Sequence, residues 1–169
     1  MAETDSSGKF RLYNASELQL LSEPEWQIEK LFTVGSMAGL YGPSGEGKSF
    51  VALDWALSVA EGRPWFGRRV QQSPVVYVAA EGGRSIRKRV SAWMRHRGCA
   101  EVSSAFFLLE SVQVRAQDDL DLLATRIRDL GIKPGLIVLD TLARCFVGGD
   151  ENSGGRDRVD VGVHFSVAV

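Results

Sequence analysis

The most constraining stretch of the chain is Leu40-Tyr41-Gly42-Pro43-Ser44-Gly45-Glu46-Gly47-Lys48-Ser49, which fits the pattern G-x-x-x-x-G-K-[ST]. The apolar run Met37 to Tyr41 precedes it with the length of a short buried strand, and the apolar segment from Phe50 onward follows as a helix would. Glycines at these places let the backbone fold around a polyphosphate so that several N–H groups point inward, while an ammonium and a hydroxyl stand at the end of the loop for phosphate and Mg²⁺. The following helix adds its positive N-terminal dipole. The expected nucleotide contacts are therefore Gly42, Pro43, Ser44, Gly45, Glu46, Gly47, Lys48, Ser49 and Phe50.

Downstream, the residues alternate between buried-strand and helix text. Phe50 to Ala60 leaves almost no polar face, as in a helix covered on most sides, and Gly62 stops it. Pro64-Trp65-Phe66-Gly67 reads as a turn with two aromatic anchors. Pro74 to Ala80 is a nearly continuous β-branched run, the mark of a central parallel strand, and it ends in Glu81-Gly82-Gly83, where open α/β sheets place their ligands. Ile86, Val90, Trp93 and Met94 form one apolar helical stripe from Arg84 to Arg97, and the basic residues of that segment suit a solvated face or contact with nucleic acid or a neighbour's phosphates. Phe106 to Leu109 predicts a strand. Asp118 to Leu130 predicts a helix with Leu120, Leu123, Ile127 and Leu130 inward, Gly131 as its cap, and Asp118 and Asp119 at its positive end. Leu136-Ile137-Val138-Leu139-Asp140 is a buried strand ending in an acid, the form of a second motif whose carboxylate works with the loop Ser in holding Mg²⁺. Trp26 suits either a base pocket or an anchor at the sheet edge.

The chain has 169 residues, 44% of them hydrophobic, enough for one domain with a buried core. Its formal net charge of -1 gives no global attraction to nucleic acid or membrane, so any basic surface must be local. Cys99 and Cys145 form no C-x-x-C pair, and no signal peptide or long apolar span is visible, which favours a cytoplasmic setting. His96 and His164 lack metal-type spacing. Three regions are expected: residues 1–22 as a disordered or extended lead-in, 23–153 as the core, and 154–169 as an atypical tail.

Together these motifs resemble those of the RecA-like ATPases, and more narrowly the RepA-type hexameric replicative helicases and the related AAA-family ATPases of plasmids and phages. The resemblance rests on Leu40 to Ser49, Gly62 with Trp65 and Gly67, Val75 to Gly82, Arg89 with Ala92-Trp93, Leu136 to Arg144 and Gly149 to Ser153. It implies an α/β fold with a mostly parallel, RecA-like sheet flanked by helices. It also implies ATP and Mg²⁺ as cofactors, Lys48 and Ser49 on phosphate and metal, Asp140 as the second-motif acid, and Glu81 polarising the attacking water. Many such ATPases carry the catalytic Glu directly after the second-motif Asp; here Thr141 follows Asp140, and the strand-ending Glu81 fills that role. Arg89 and Arg144 are candidates for contact with nucleic acid or an adjoining subunit, and Cys145 to Arg158 for a nucleic-acid loop.

RecA-like sheets continue past the second motif with a helix and further strands. Gly154 to Val169 offers one short strand at most, so the chain resembles a truncated or altered form of the family. The leading expectation is an ATP-hydrolysing domain related to replicative helicases, with single-stranded DNA as partner and assembly into a homo-oligomer, hexameric in the family. The alternatives are a nucleotide-binding module without turnover and a small-molecule kinase.

Overall fold

A computed structural model describes residues 11–81, 83–145 and 163–166, with only the backbone of Arg84 and of 163–166. In chain order its elements are α1 (Ala15–Leu18), β1 (Trp26–Ile28), β2 (Phe32–Thr33), β3 (Met37–Leu40), α2 (Lys48–Glu61), β4 (Val75–Ala79), α3 (Gly83–Arg97), β5 (Ala105–Leu108), α4 (Gln117–Asp129), β6 (Leu136–Asp140), a 3₁₀ turn (Leu142–Cys145) and β7 (Val163–Ser166).

Period-two alternation in β4 and β6 divides the core between two faces of one sheet. Val75, Tyr77, Ala79, Leu136 and Val138 point toward α2 and the stripe of α3, where Ala52, Leu57, Val59, Ile86, Val90 and Trp93 cover them. Val76, Val78, Ile137 and Leu139 point the other way, onto Leu120, Leu123 and Ile127 of α4. Both strands are thus covered on both faces, which explains their uninterrupted apolar text. The result is a three-layer α/β fold whose strands β5, β4 and β6 run parallel.

The five-stranded sheet has the order β3-β7-β6-β4-β5. β7 lies between the phosphate-loop strand and β6 and is antiparallel to both, pairing Met37 with Ser166 and Leu139 with His164. The alternation seen in the tail therefore does form one short strand, placed inside the sheet. β3 differs from the buried strand expected: it stands at the end of the strand order, with Met37 74% exposed.

Other expectations also shift. α1 is a helical turn within the lead-in, closed by a capping box between Asn14 and Glu17, so that segment is not uniformly extended. Phe66 is no anchor, being 81% exposed, whereas Trp65 packs edge-on against Trp55 with ring centroids 5.7 Å apart. Leu130 caps α4 and is exposed, and Gly131 is the residue beyond it. Trp26 belongs to the hairpin β1–β2 and lines a cleft with Pro24, Glu29 and Arg69, apart from the phosphate loop. Residues 1–10 and 146–162, which carry the disordered lead-in and most of the nucleic-acid loop, lie outside the described residues.

Asp54 is the one carboxylate within the nearly apolar body of α2, Glu61 being the helix's last residue. It accepts hydrogen bonds from Trp65 Nε1 at 2.7 Å and Trp93 Nε1 at 2.6 Å, and pairs with Arg97 at 3.1 Å. This side chain joins α2, the Trp65 turn and α3. Replacing it leaves two indole donors and a half-buried guanidinium without their acceptor, so Asp54→Ala is expected to lower the unfolding free energy by about 2–4 kcal/mol. Chemical denaturation measures this, and a loss under about 0.5 kcal/mol, the ordinary range of surface substitutions, would show the carboxylate to be dispensable.

Candidate phosphate site

The loop between β3 and α2 turns through Gly45 and Gly47, whose φ values of 86° and 81° lie in the left-handed region that side chains disfavour. Gly47 is also the N-cap of α2 and closes the first turn by accepting from Phe50 N and Val51 N. The N–H groups of Lys48 and Ser49, in the first turn of α2, have no acceptor within an α-helix and are oriented for an anion. Lys48 Nζ donates to the carbonyls of Gly42 and Pro43. An ammonium has three donors, so this seating fixes it at the mouth of the loop with a third still available.

Opposite the loop, Asp140 ends β6 and is 2% exposed. Its register partner is Ala79, and Tyr77 lies two residues earlier on the same face of β4. That arrangement brings the Tyr77 hydroxyl to Asp140 Oδ2 at 2.7 Å, while Ser49 donates to Oδ1 at 2.8 Å. Burial first, then the adjacent carboxylate, pushes the Tyr77 phenol far above its ordinary range, which keeps it a donor. Tyr77 is the site residue that sequence reasoning missed. The available signal was a lone hydroxyl in an otherwise aliphatic buried strand.

Glu81 follows β4. Its N–H donates to the Asp140 carbonyl at 3.2 Å, and its carboxylate accepts from Thr141 Oγ1 at 3.4 Å. The ends of β4 and β6 are thereby tied together, with one acid buried and the other exposed. Ser44, Gly45, Gly47, Lys48, Ser49, Phe50, Glu81, Arg89, Asp140 and Thr141 line one cavity of about 270 Å³. Of the expected contacts, Gly42 and Pro43 act through their carbonyls on Lys48, and Glu46 is exposed on the loop. Arg89 stands in this cavity; Arg144, on the 3₁₀ turn, is exposed and does not line it.

The donor set near Ser49 and Asp140 is hydroxyl plus carboxylate. Among the described residues no group of three or more His, Cys, Asp or Glu could enclose an ion by itself. A hard cation would therefore complete its shell with phosphate oxygens and water, which is the habit of Mg²⁺.

A family model described as an AAA domain matches residues 10–159 of the chain. The chain belongs to the AAA domain family. It carries a nucleotide-binding domain of the P-loop ATPase type, and the α/β sheet described above is the fold that such a domain requires. Comparisons with curated proteins and with solved structures gave no match. Among the described residues no helix is long and apolar enough to cross a membrane.

Proposed function

We propose that this AAA domain binds Mg·ATP in the cavity between α2 and the ends of β4 and β6 and hydrolyses it. The observation that carries the reading is the convergence of Lys48, Ser49, Asp140 and Glu81 on that one cavity from three separate elements. Lys48 and the first N–H groups of α2 hold the phosphates, and Ser49 with Asp140 holds the metal. When bound, Mg²⁺ neutralises charge on the phosphate oxygens.

Glu81 supplies the base. It is the exposed carboxylate of the cavity, anchored through its own N–H and Thr141 yet open to water. As the water oxygen bonds to the γ-phosphorus, the bond to ADP breaks and its electron pair stays on the β-phosphate oxygen. The water's proton passes to Glu81. Asp140 is not placed for that duty: it is 2% exposed and accepts from Ser49 and Tyr77, and its remaining lone pairs serve the metal's shell. The positioning is supplied by the sheet register, and the charge stabilisation by the loop.

The resemblance to RepA-type helicases supports a finer reading: a motor domain acting on single-stranded DNA as a homo-oligomer, in the cytoplasm, where the thiols of Cys99 and Cys145 remain free. A kinase is less well supported, since the helix after Glu81 packs its Ile86, Val90 and Trp93 stripe into the core and so cannot serve as a mobile lid. The test is Mg·ATP binding and phosphate release with and without single-stranded DNA. Turnover stimulated by DNA is the expected outcome; tight binding without phosphate release would refute hydrolysis.

A further inference from the structure

Tyr77 is the one hydroxyl-bearing residue of β4, whose other members are Val75, Val76, Val78 and Ala79. Its ring is fully buried in the apolar core and lies tilted against Phe107, with centroids 5.7 Å apart. Phenylalanine would fill the same space. A hydroxyl there gives up its hydration and is sustained only by the bond it makes, and that bond goes to Asp140 Oδ2 at 2.7 Å. Asp140 in turn is the one buried carboxylate among the described residues.

The outer torsion of an aspartate is broad, so the plane of its carboxylate is set by its partners. Here each oxygen has one, and the two come from different layers: Oδ1 accepts from Ser49 on α2, Oδ2 from Tyr77 in the sheet. Ser49 stands at the end of the phosphate loop and moves with it. Tyr77 is fixed independently of the loop, because β4 pairs on both sides, with β5 and β6, and the register of β4 on β6 sets the ring beside Asp140. Each carboxylate oxygen has two lone pairs, so each keeps one for an ion or for a water of its shell. Glu81, by contrast, is exposed and its carboxylate is held by Thr141 at 3.4 Å. We propose that the Tyr77 hydroxyl fixes the plane of the Asp140 carboxylate from within the sheet and so prepares the Ser49–Asp140 pair to receive Mg²⁺ with the nucleotide. Tyr77 is a positioning residue: it acts through Asp140, meets neither phosphate nor ion, and exchanges no proton. The proposal rests on the Mg·ATP reading above.

The experiment compares wild type, Tyr77→Phe and Phe107→Leu. Phe107→Leu is the packing control, since it trims the ring beside Tyr77 and leaves the hydroxyl in place. Electron paramagnetic resonance measures Mn²⁺ binding to each ADP-saturated protein, a fluorescent ADP analogue gives the nucleotide affinity in EDTA, and thermal melts confirm folding. Tyr77→Phe should bind Mn²⁺ about 10- to 100-fold more weakly, the usual loss when a group that orients a metal ligand is removed, with its affinity in EDTA within about threefold of wild type. Phe107→Leu should melt earlier and bind Mn²⁺ as wild type does. Wild-type Mn²⁺ affinity in Tyr77→Phe would overturn the proposal and leave the hydroxyl a structural partner alone, and equal losses in both variants would overturn it in favour of packing. Should Tyr77→Phe fail to fold, wild type labelled with 3-fluorotyrosine decides: a ¹⁹F shift of the buried Tyr77 signal when Mg²⁺ joins the ADP complex supports the proposal, and an unmoved signal overturns it. If wild type binds ADP and Mn²⁺ does not join the complex, the metal role of Ser49 and Asp140 falls and this proposal with it, while nucleotide binding stands. If wild type binds no nucleotide, both readings fall.

Discussion

Lys48→Ala is expected to weaken Mg·ATP binding about 100-fold or more, the largest loss of nucleotide affinity expected from a single substitution in this chain. A charge-assisted contact between an ammonium and a phosphate is among the strong hydrogen bonds, and losing it while the phosphate stays in place leaves an anion without its counter-charge. The lysine has a second role, since its Nζ ties the Gly42 and Pro43 carbonyls together at the start of the loop. Alanine removes both contributions. Isothermal titration with Mg·ATP reads the first, and circular dichroism controls for the second: the spectrum should not change, because the lysine's hydrogen bonds are confined to the loop rather than the core. Wild-type affinity in Lys48→Ala would rule out the cavity as the phosphate site.

Glu81→Gln separates binding from chemistry. The amide oxygen can still accept from Thr141, and the backbone bond from residue 81 to the Asp140 carbonyl is untouched, so the local geometry survives. What disappears is the capacity to take a proton from water. Turnover should fall about 100- to 10,000-fold while the affinity for Mg·ATP stays within about threefold. Measured phosphate release at the wild-type rate would remove Glu81 from the role of base. A parallel loss of affinity would mean that the carboxylate serves metal or phosphate binding instead.

The local patterns that carried the fold were short-range. The glycine spacing from Gly42 to Gly47, the aliphatic runs of β4 and β6 and the stripe Ile86-Val90-Trp93 each need only a few neighbouring residues to be read, and each predicted an element that the structure contains. What escaped was long-range. No local signal says that Tyr77 and Asp140 share a face; that follows from the pairing of Ala79 with Asp140 and Tyr77 with Val138. The position of β7 between β3 and β6 is likewise a matter of pairing, across more than a hundred residues to β3 and 25 to 29 residues to β6.

Two features were legible and were read too blandly. An aspartate in the middle of Phe50 to Ala60 needs hydrogen-bond partners, and Asp54 has three part-buried ones. Arg89 borders the apolar stripe, one residue before Val90 and three after Ile86, so it was never placed for the outer face of α3. The exposed side of that helix belongs to Arg87, Lys88 and Arg95.

The strand inserted between β3 and β6 works as a ruler. The loop that carries Lys48 springs from β3, and Asp140 ends β6, so the strands from which the two halves of the site arise stand two strand spacings apart, about 10 Å in all, and the loop crosses that interval to bring Ser49 to Asp140. That interval is set by main-chain pairing and not by the identity of the side chains at 163–166. A backbone segment able to lie extended in that slot sets how far apart the strands leading to Lys48 and Asp140 stand. The width of the site is thus a property of the peptide ladder, while its chemistry resides in the residues at either end.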